Sequence, residues 1–569
     1  MQARYALKTA GAGRILRQSV SYAARWVEPR RHGCSGCDAY DQSVLRGHWW
    51  AQRQLQPMQA RHYQWKRVSP PSEPSNTHNK PFSRSLGSRA APVIDVSDAS
   101  KRMDFEDSKR LFAAATTGEL ARALMIFEVC AIRPVVANAS LMYKMATIYM
   151  GHGLPHWVIR ASFFRHFCGG ESEHDLIPVM ERLGACGIGA ILDYAAEADV
   201  DSAPQGDHAY CPDLLGESAC DANTEIVLAS IDAAAAAAER GGQEPFAACK
   251  FTGIGQPELL ERVSALLTSL EFRQASLRLE EPAYTDLMCG ALAPLSKDER
   301  SQYARMIARA NRLAKHAEKK GVKLLVDAEQ TYMQPAIDHL ALLMMHRHNK
   351  QKPVIFNTYQ CYLKDAHERV QRDMERAERQ GFVFAAKAVR GAYIVQESRL
   401  AKEQGYANPI HNSKEETHAC YDAVVEMIIS SKVADAADAR ARQAAVMIAS
   451  HNEESVIKAV NRMRQLDLEP KDGIYFAQLQ GMCDHVSFAL GQGGYSVYKY
   501  LPYGPVNEVM PYLLRRLEEN SDIMGSVGKQ RHMIWTELRR RLSTGFWAST
   551  DKAGSSDCPR TVSPWTLNH

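Results

Sequence analysis

Between Gly187 and Tyr503 the chain passes eight times from a short apolar run into a longer stretch patterned for a helix. The runs fall at 188–194, 247–252, 323–328, 354–359, 383–389, 445–449, 474–479 and 497–503. Each is short enough to be a strand and too apolar to be a half-exposed one. Strands separated by helices must run parallel, because the return path is the helix. Eight such units predict an α/β fold closed into a (βα)8 barrel. Helix punctuation agrees, since the patterned stretches 298–320 and 366–380 are each followed by a glycine, Gly321 and Gly381, as a left-handed cap requires. The Ala-rich segment 231–240 favours helix and leads into the second strand.

Ahead of the barrel, Phe105, Leu111, Phe112, Leu120, Leu124 and Phe127 recur at helical spacing, and the pattern continues to about Arg182. A helical arm, residues 93–186, therefore precedes the barrel at 187–530. A C-terminal helix and tail, residues 531–569, follow it. Residues 1–92 carry no such periodicity, and 69–92 is rich in Pro and Ser. Up to Val27 there are five basic residues, no acidic one and no continuous apolar core, which is the composition of a mitochondrial transit peptide.

Lys and Arg total 69 against 65 Asp and Glu, a net charge of +4. That excludes the strong basic bias of a nucleic-acid-binding chain. No run of about 20 apolar residues predicts a membrane span. Thirteen scattered cysteines read as free thiols, and the lone Cys34–Cys37 pair lacks the further ligands of a metal site.

Active groups of this architecture gather where the strands end. Lys250 follows the second run, Asp327 and Glu329 the third, Asn357 and Gln360 the fourth, and Lys387, Arg390 and Tyr393 the fifth. His451 ends the sixth, while Gln478 and Asp484 bracket the seventh. One polar residue at a strand end is ordinarily a satisfied structural group. Six consecutive strands ending so imply a multi-point ligand site. After the last run, Tyr512, Arg515, Arg516 and Glu519 share one helical face. Adjacent arginines there fit a carboxylate or phosphate clamp, or an exposed Arg–Glu surface pair. A dinucleotide fingerprint fails, because Glu258 stands where the third glycine belongs after Gly253 and Gly255.

The stretches VDAEQTYMQPAIDHL, IFNTYQCYLKDA, AKAVRGAYIVQE, IASHNEES, QLQGMCDHVSFALGQ and YKYLPYGPVNEVMPYLLRRLEEN together resemble proline dehydrogenases (proline oxidases) of the eukaryotic mitochondrial type. The resemblance implies a distorted (βα)8 barrel with non-covalent FAD, acting on L-proline and passing electrons to a membrane quinone (ubiquinone). It implies a mitochondrial matrix enzyme in peripheral contact with the inner membrane, for which the basic helical stretch 531–541 is a candidate. No aldehyde dehydrogenase module is expected after Phe546.

Carried over by position, Lys387, Arg390, His451 and either Asn357 or Gln360 match flavin-binding residues. Lys250, Asp327, Tyr393, Leu479, Tyr500 and Tyr512 match the lining of the proline pocket. Arg515 and Arg516 match the carboxylate clamp, Glu197 a gate residue and Glu519 its support. Asp327 and Lys250 are the candidate polar pair beside the substrate amine. Tyr500 favours proline, because relatives acting on 4-hydroxyproline tend to lack it. The rival readings are a hydroxyproline dehydrogenase, a Schiff-base lyase using Lys250 or Lys387, and a flavin-free binding barrel.

Overall fold

The computed structural model describes residues 105–151, 153–194, 216–241, 243–268, 279, 288–433, 443–522 and 524–543. The amino-terminal segment 1–92, Cys34 and Cys37, Glu197 and the tail after residue 543 lie outside them.

Eight strands form the centre: β1 (Ile188–Tyr194), β2 (Phe246–Cys249), β3 (Lys323–Val326), β4 (Ile355–Gln360), β5 (Ala385–Val389), β6 (Ala445–Ala449), β7 (Ile474–Leu479) and β8 (Val497–Tyr503). They pair in sequence order, all parallel, and β8 closes on β1 through seven registered pairs from Ile188–Val497 to Tyr194–Tyr503. The expected barrel is present. The second strand is shorter than 247–252, because the chain after Cys249 tightens into a 3-10 turn, Phe251–Gly253, with Lys250 at its start.

The connecting helices end as their residues dictate. Lys297–Lys320 begins with Ser296 and Glu299 capping each other's backbone and ends at Gly321 in the left-handed conformation, φ 70°. Ala366–Gln380 ends the same way at Gly381.

Side chains alternate across each strand, so one phase points into the barrel. In the lower layers Phe246, Phe356, Tyr475 and Tyr498 fill the interior, with neighbouring centroids 4.7–6.1 Å apart and mostly edge-to-face. Each such pair adds about 0.5–1.5 kcal/mol beyond its buried area. Gly189 makes room for this plug, since a Cβ there would stand 2.3 Å from the Tyr498 ring. Lys323 closes the floor, 5.5 Å from the Phe246 and Tyr475 centroids and paired with Glu244 at 2.7 Å.

The arm is fused to the barrel. Leu111, Phe112, Leu120, Phe127 and Leu176 belong to the same apolar core as the outer faces of the strands. A second core joins Phe164, Phe167 and Cys168 of the arm to Tyr512, Leu513 and Leu517 of the helix Val506–Asp522, with Leu479 packed against it. The expected boundary after residue 530 falls inside the continuous helix Met524–Ser543. One face of that helix is tied to the arm: Arg541 donates to Glu537 at 2.7 Å and to the carbonyls of Phe112 and Ala115 at 2.8 Å. Arg540 also pairs with Glu537, and Arg531 with Glu128. Among the described residues no helix is long and apolar enough to cross a membrane.

Candidate active site

The inward phase that carries the aromatic plug continues upward to a different chemistry. Two residues beyond Ile191, Ala248, Leu325 and Ala385, the same faces present Asp193, Lys250, Asp327 and Lys387. Gln360, His451, Leu479 and Tyr500 complete the layer from β4, β6, β7 and β8. All are at the carboxyl ends of their strands, where a barrel of this kind keeps its active groups.

Asp327 is the hub. One carboxylate oxygen accepts from the Lys387 ammonium and the other from the Tyr500 hydroxyl at 2.6 Å. Lys387 lies 5.2 Å from the Tyr500 ring centroid, so the three groups fix one another. Burial and the carboxylates of Asp193 and Asp327 push the Tyr500 hydroxyl well above its ordinary pKa, so it stays a donor. Lys250 acts on Glu329, whose carboxyl burial raises to about 7 while Lys250 and the Thr252 amide oppose the rise. Asp327 is thus bonded to Lys387, which reaches it from β5 across the barrel mouth.

His451 accepts the Leu479 amide proton on Nε2 at 3.0 Å. That bond requires a neutral ring, and burial together with Lys499, Arg516 and Arg390 holds its pKa down to about 3. Arg390 lies 4.2 Å from the Tyr421 ring centroid and donates to His418, Ser450 and Ser455 at 2.6–2.8 Å. These partners are neutral, so the guanidinium charge remains for an anionic ligand.

The two candidates of the fourth strand separate. Gln360 is in the inward phase and donates to the Glu329 carbonyl at 2.8 Å. Asn357 is in the opposite phase, where it donates to Asp338 at 2.9 Å in a network shared with Arg369 of the outer helices. Asn357 therefore supports the barrel wall and does not line its mouth. Tyr393 is half-buried at the start of the helix Ile394–Gln404, beside Tyr362 at the rim.

The roof is the helix Val506–Asp522. Arg516 is buried and grips Glu519 with both terminal nitrogens, at 2.5 and 2.6 Å, and its Cζ is 5.0 Å from the Tyr512 ring centroid. This is not a surface pair. The Arg516 Nε and the Tyr512 hydroxyl are both buried with no hydrogen-bond partner in the protein. Two adjacent buried donors without acceptors form a receptor for an anionic or carbonyl oxygen. Arg515, half-buried, follows on the same helix.

The proline dehydrogenase family profile matches residues 181–529, which is more than half of the chain. The chain belongs to the proline dehydrogenase family. It is 35% identical over 551 residues to human proline dehydrogenase 1, mitochondrial, covering 78% of this chain and 90% of that one. It is equally 35% identical over 480 residues to a hydroxyproline dehydrogenase of Xenopus laevis, covering 84% of this chain and 96% of that one. In fold it is similar to proline utilization A of Bdellovibrio bacteriovorus, at a TM-score of 0.53 and 17% identity. That match covers 75% of this chain and 40% of the larger bacterial one. The protein is thus an oxidoreductase of the proline dehydrogenase family, built on the family's barrel.

Two groups of this proline dehydrogenase-family site escaped the reading of strand ends. Asp193 is buried on β1 and acts electrostatically on both Tyr500 and Tyr512. Strict alternation from Ile191 would have found it. Lys499 faces away from the mouth, pairs with Asp484 at 2.6 Å and donates to the Met482 carbonyl at 2.8 Å, fixing the loop after β7. Only the packed structure reveals that role. Gly481 in this loop adopts φ +77°, and a Cβ there would meet the His166 carbonyl at 2.6 Å. Close backbone contact thus ties the arm to the end of β7.

Proposed function

We propose that this enzyme oxidises L-proline to Δ1-pyrroline-5-carboxylate with non-covalent FAD, in the mitochondrion, and passes the electrons to a membrane quinone. The observation that carries the substrate reading is the buried receptor of Arg516 and Tyr512 above a mouth whose hub is Asp327–Lys387–Tyr500. A buried guanidinium with an unpartnered N–H suits a small carboxylate.

The donor set also fits a flavin. Lys387, Arg390, Gln360 and the neutral His451 line the β4–β6 side, and Arg390 keeps a charge that no carboxylate bonded to it cancels. When bound, the flavin supplies the acceptor, at N5, for the hydride leaving the ring carbon beside nitrogen. The chain's own part is to hold proline in place. Arg516, with Arg515 beside it, fixes the carboxylate, Glu519 keeps Arg516 oriented, and Leu479, Tyr500 and Tyr512 pack the ring. Asp327 already accepts from two donors, so its work is to orient Lys387 and Tyr500. Glu329, raised to about 7 and next to Lys250, is the carboxyl near the mouth best matched to moving a proton at neutral pH.

The test is the visible spectrum of the purified protein, followed anaerobically as L-proline is added. Bleaching of a flavin band supports the proposal; a colourless protein, or one that borohydride links to substrate through a lysine, sinks it. Hydroxyproline remains the second reading, because the Xenopus hydroxyproline dehydrogenase is as similar to this chain as human proline dehydrogenase 1. Turnover of L-proline against trans-4-hydroxy-L-proline decides, and preference for the second overturns the substrate assignment.

A further inference from the structure

Seventeen large apolar side chains of the described residues are exposed, and nine of them crowd onto residues 141–158. These lie on two short helices, Ala139–Met150 and Gly153–Ile159, joined at Gly151 in a positive-φ turn. The first helix buries none of its own residues. Ile148 is 72% exposed, Tyr149 77%, Met150 63% and Trp157 65%. The hairpin is nonetheless ordered against itself, because the Tyr143 hydroxyl and His156 Nε2 hydrogen-bond at 2.7 Å. An apolar patch this concentrated on a folded surface marks a contact with something apolar.

We infer that this hairpin is a monotopic membrane anchor that seats the enzyme on an anionic bilayer surface. Three observations select a lipid surface over other occupants. Between Glu128 and Glu171 the chain has no acidic residue and four basic ones; Arg160 pairs with Glu171 at 2.6 Å, and Arg133, Lys144 and Arg165 are left as the bias that complements anionic headgroups. Tyr149 and Trp157, near the turn, are amphipathic rings of the kind favoured at a lipid–water boundary. At twelve residues the longer helix is about 18 Å long, too short to span a hydrocarbon core of about 30 Å, so it lies in the interface.

The placement connects the anchor to the active site. The hairpin runs straight into a π-helical turn, Arg160–Phe164, and then into Phe167. Phe164 and Phe167 share a core with Tyr512, Leu513 and Leu517 of the helix roofing the barrel. A bilayer met by the hairpin is therefore one packed layer from the roof. The basic helix Met524–Ser543 is the weaker anchor, since Arg531, Arg540 and Arg541 are spent on Glu128 and Glu537. The inference rests on the proposed quinone acceptor only for the purpose of attachment; the contact itself is read from the surface.

The experiment is flotation of the full chain with vesicles of phosphatidylcholine mixed with phosphatidylglycerol, in parallel with proline-dependent reduction of a soluble dye. Wild type floats. The triple variant Ile148→Asn, Tyr149→Ser, Trp157→Ser binds vesicles about a hundredfold more weakly with unchanged dye reduction, because those side chains are exposed and support no core. Lys144→Glu weakens binding at least about fivefold on the mixed vesicles and leaves binding to phosphatidylcholine alone unchanged. A triple variant that floats like wild type overturns the inference, as does a wild type that self-associates through this face in place of floating. Absence of dye reduction in wild type would instead count against the proposed function, with the flotation result standing by itself.

Discussion

The lower and upper halves of the barrel interior are built by the same strands in the same side-chain phase, yet they obey opposite rules. Below, Phe246, Phe356, Tyr475 and Tyr498 interlock edge to face and leave nothing for a ligand. Two residues further along, Asp193, Lys250, Asp327 and Lys387 occupy the equivalent positions on β1, β2, β3 and β5. Burying those charges costs far more than burying the rings, and the pairing of Asp327 with Lys387 at the mouth offsets part of that cost. The comparison teaches where stability and function are stored: the plug holds the barrel closed, and the charged layer accepts a cost for a site.

Changes to either layer should therefore separate the two properties. Phe246→Ala should have the largest effect, lowering stability by about 4 kcal/mol through a cavity at the centre of the plug, as a fall in the urea midpoint would show. If activity fell with stability unchanged, the division between layers would be wrong.

Glu329 comes next. Its buried carboxyl has a folded pKa of about 7 against an ordinary value of 4.5. It holds its proton more tightly in the fold than in the unfolded chain. Its contribution is fully present below pH 4.5 and is lost as pH rises through about 7, a change on the order of 3 kcal/mol at most. Unfolding midpoints across that window should fall for wild type, and Glu329→Gln should flatten the fall. An unchanged slope would place the pH dependence elsewhere.

In the roof, Arg516→Met should reduce kcat/KM for proline about a hundredfold, mostly through KM, with the visible spectrum of the bound cofactor retained. Loss of the cofactor band instead would move Arg516 from substrate to flavin. The smallest effect is expected of Tyr500→Phe, which removes one hydrogen bond to Asp327 and costs about 1 kcal/mol, read as a few-fold loss in turnover. A much larger loss would make the hydroxyl itself a participant in the chemistry.

Much of this was legible beforehand. The runs at 188–194, 445–449, 474–479 and 497–503 are the strands observed, because a buried parallel strand is apolar throughout and ends where polar residues begin. The glycine caps at Gly321 and Gly381 were equally clear. Phase settles two points that the strand ends alone left open. Asn357 and Gln360 stood as alternatives, and an odd step along a strand turns a side chain to the other face. Asp193 was passed over, although it is in step with Ile191. In the basic stretch 531–541, Arg540 and Arg541 bond Glu537 and Arg541 also the arm's carbonyls, contacts that no local pattern announces.

By itself, the sequence determined the eightfold alternation, the barrel it closes into and the polar strand ends, because local periodicity and capping act within a few residues. It did not determine which polar groups meet. The Lys387–Asp327–Tyr500 hub joins residues far apart in the chain, and Arg516 grips Glu519 with both terminal nitrogens. Partner choice of that kind depends on distances of a few ångströms and on how much water burial removes. The tertiary structure alone sets both. It likewise decided that the arm's hairpin, apolar enough for a core, was left facing outward.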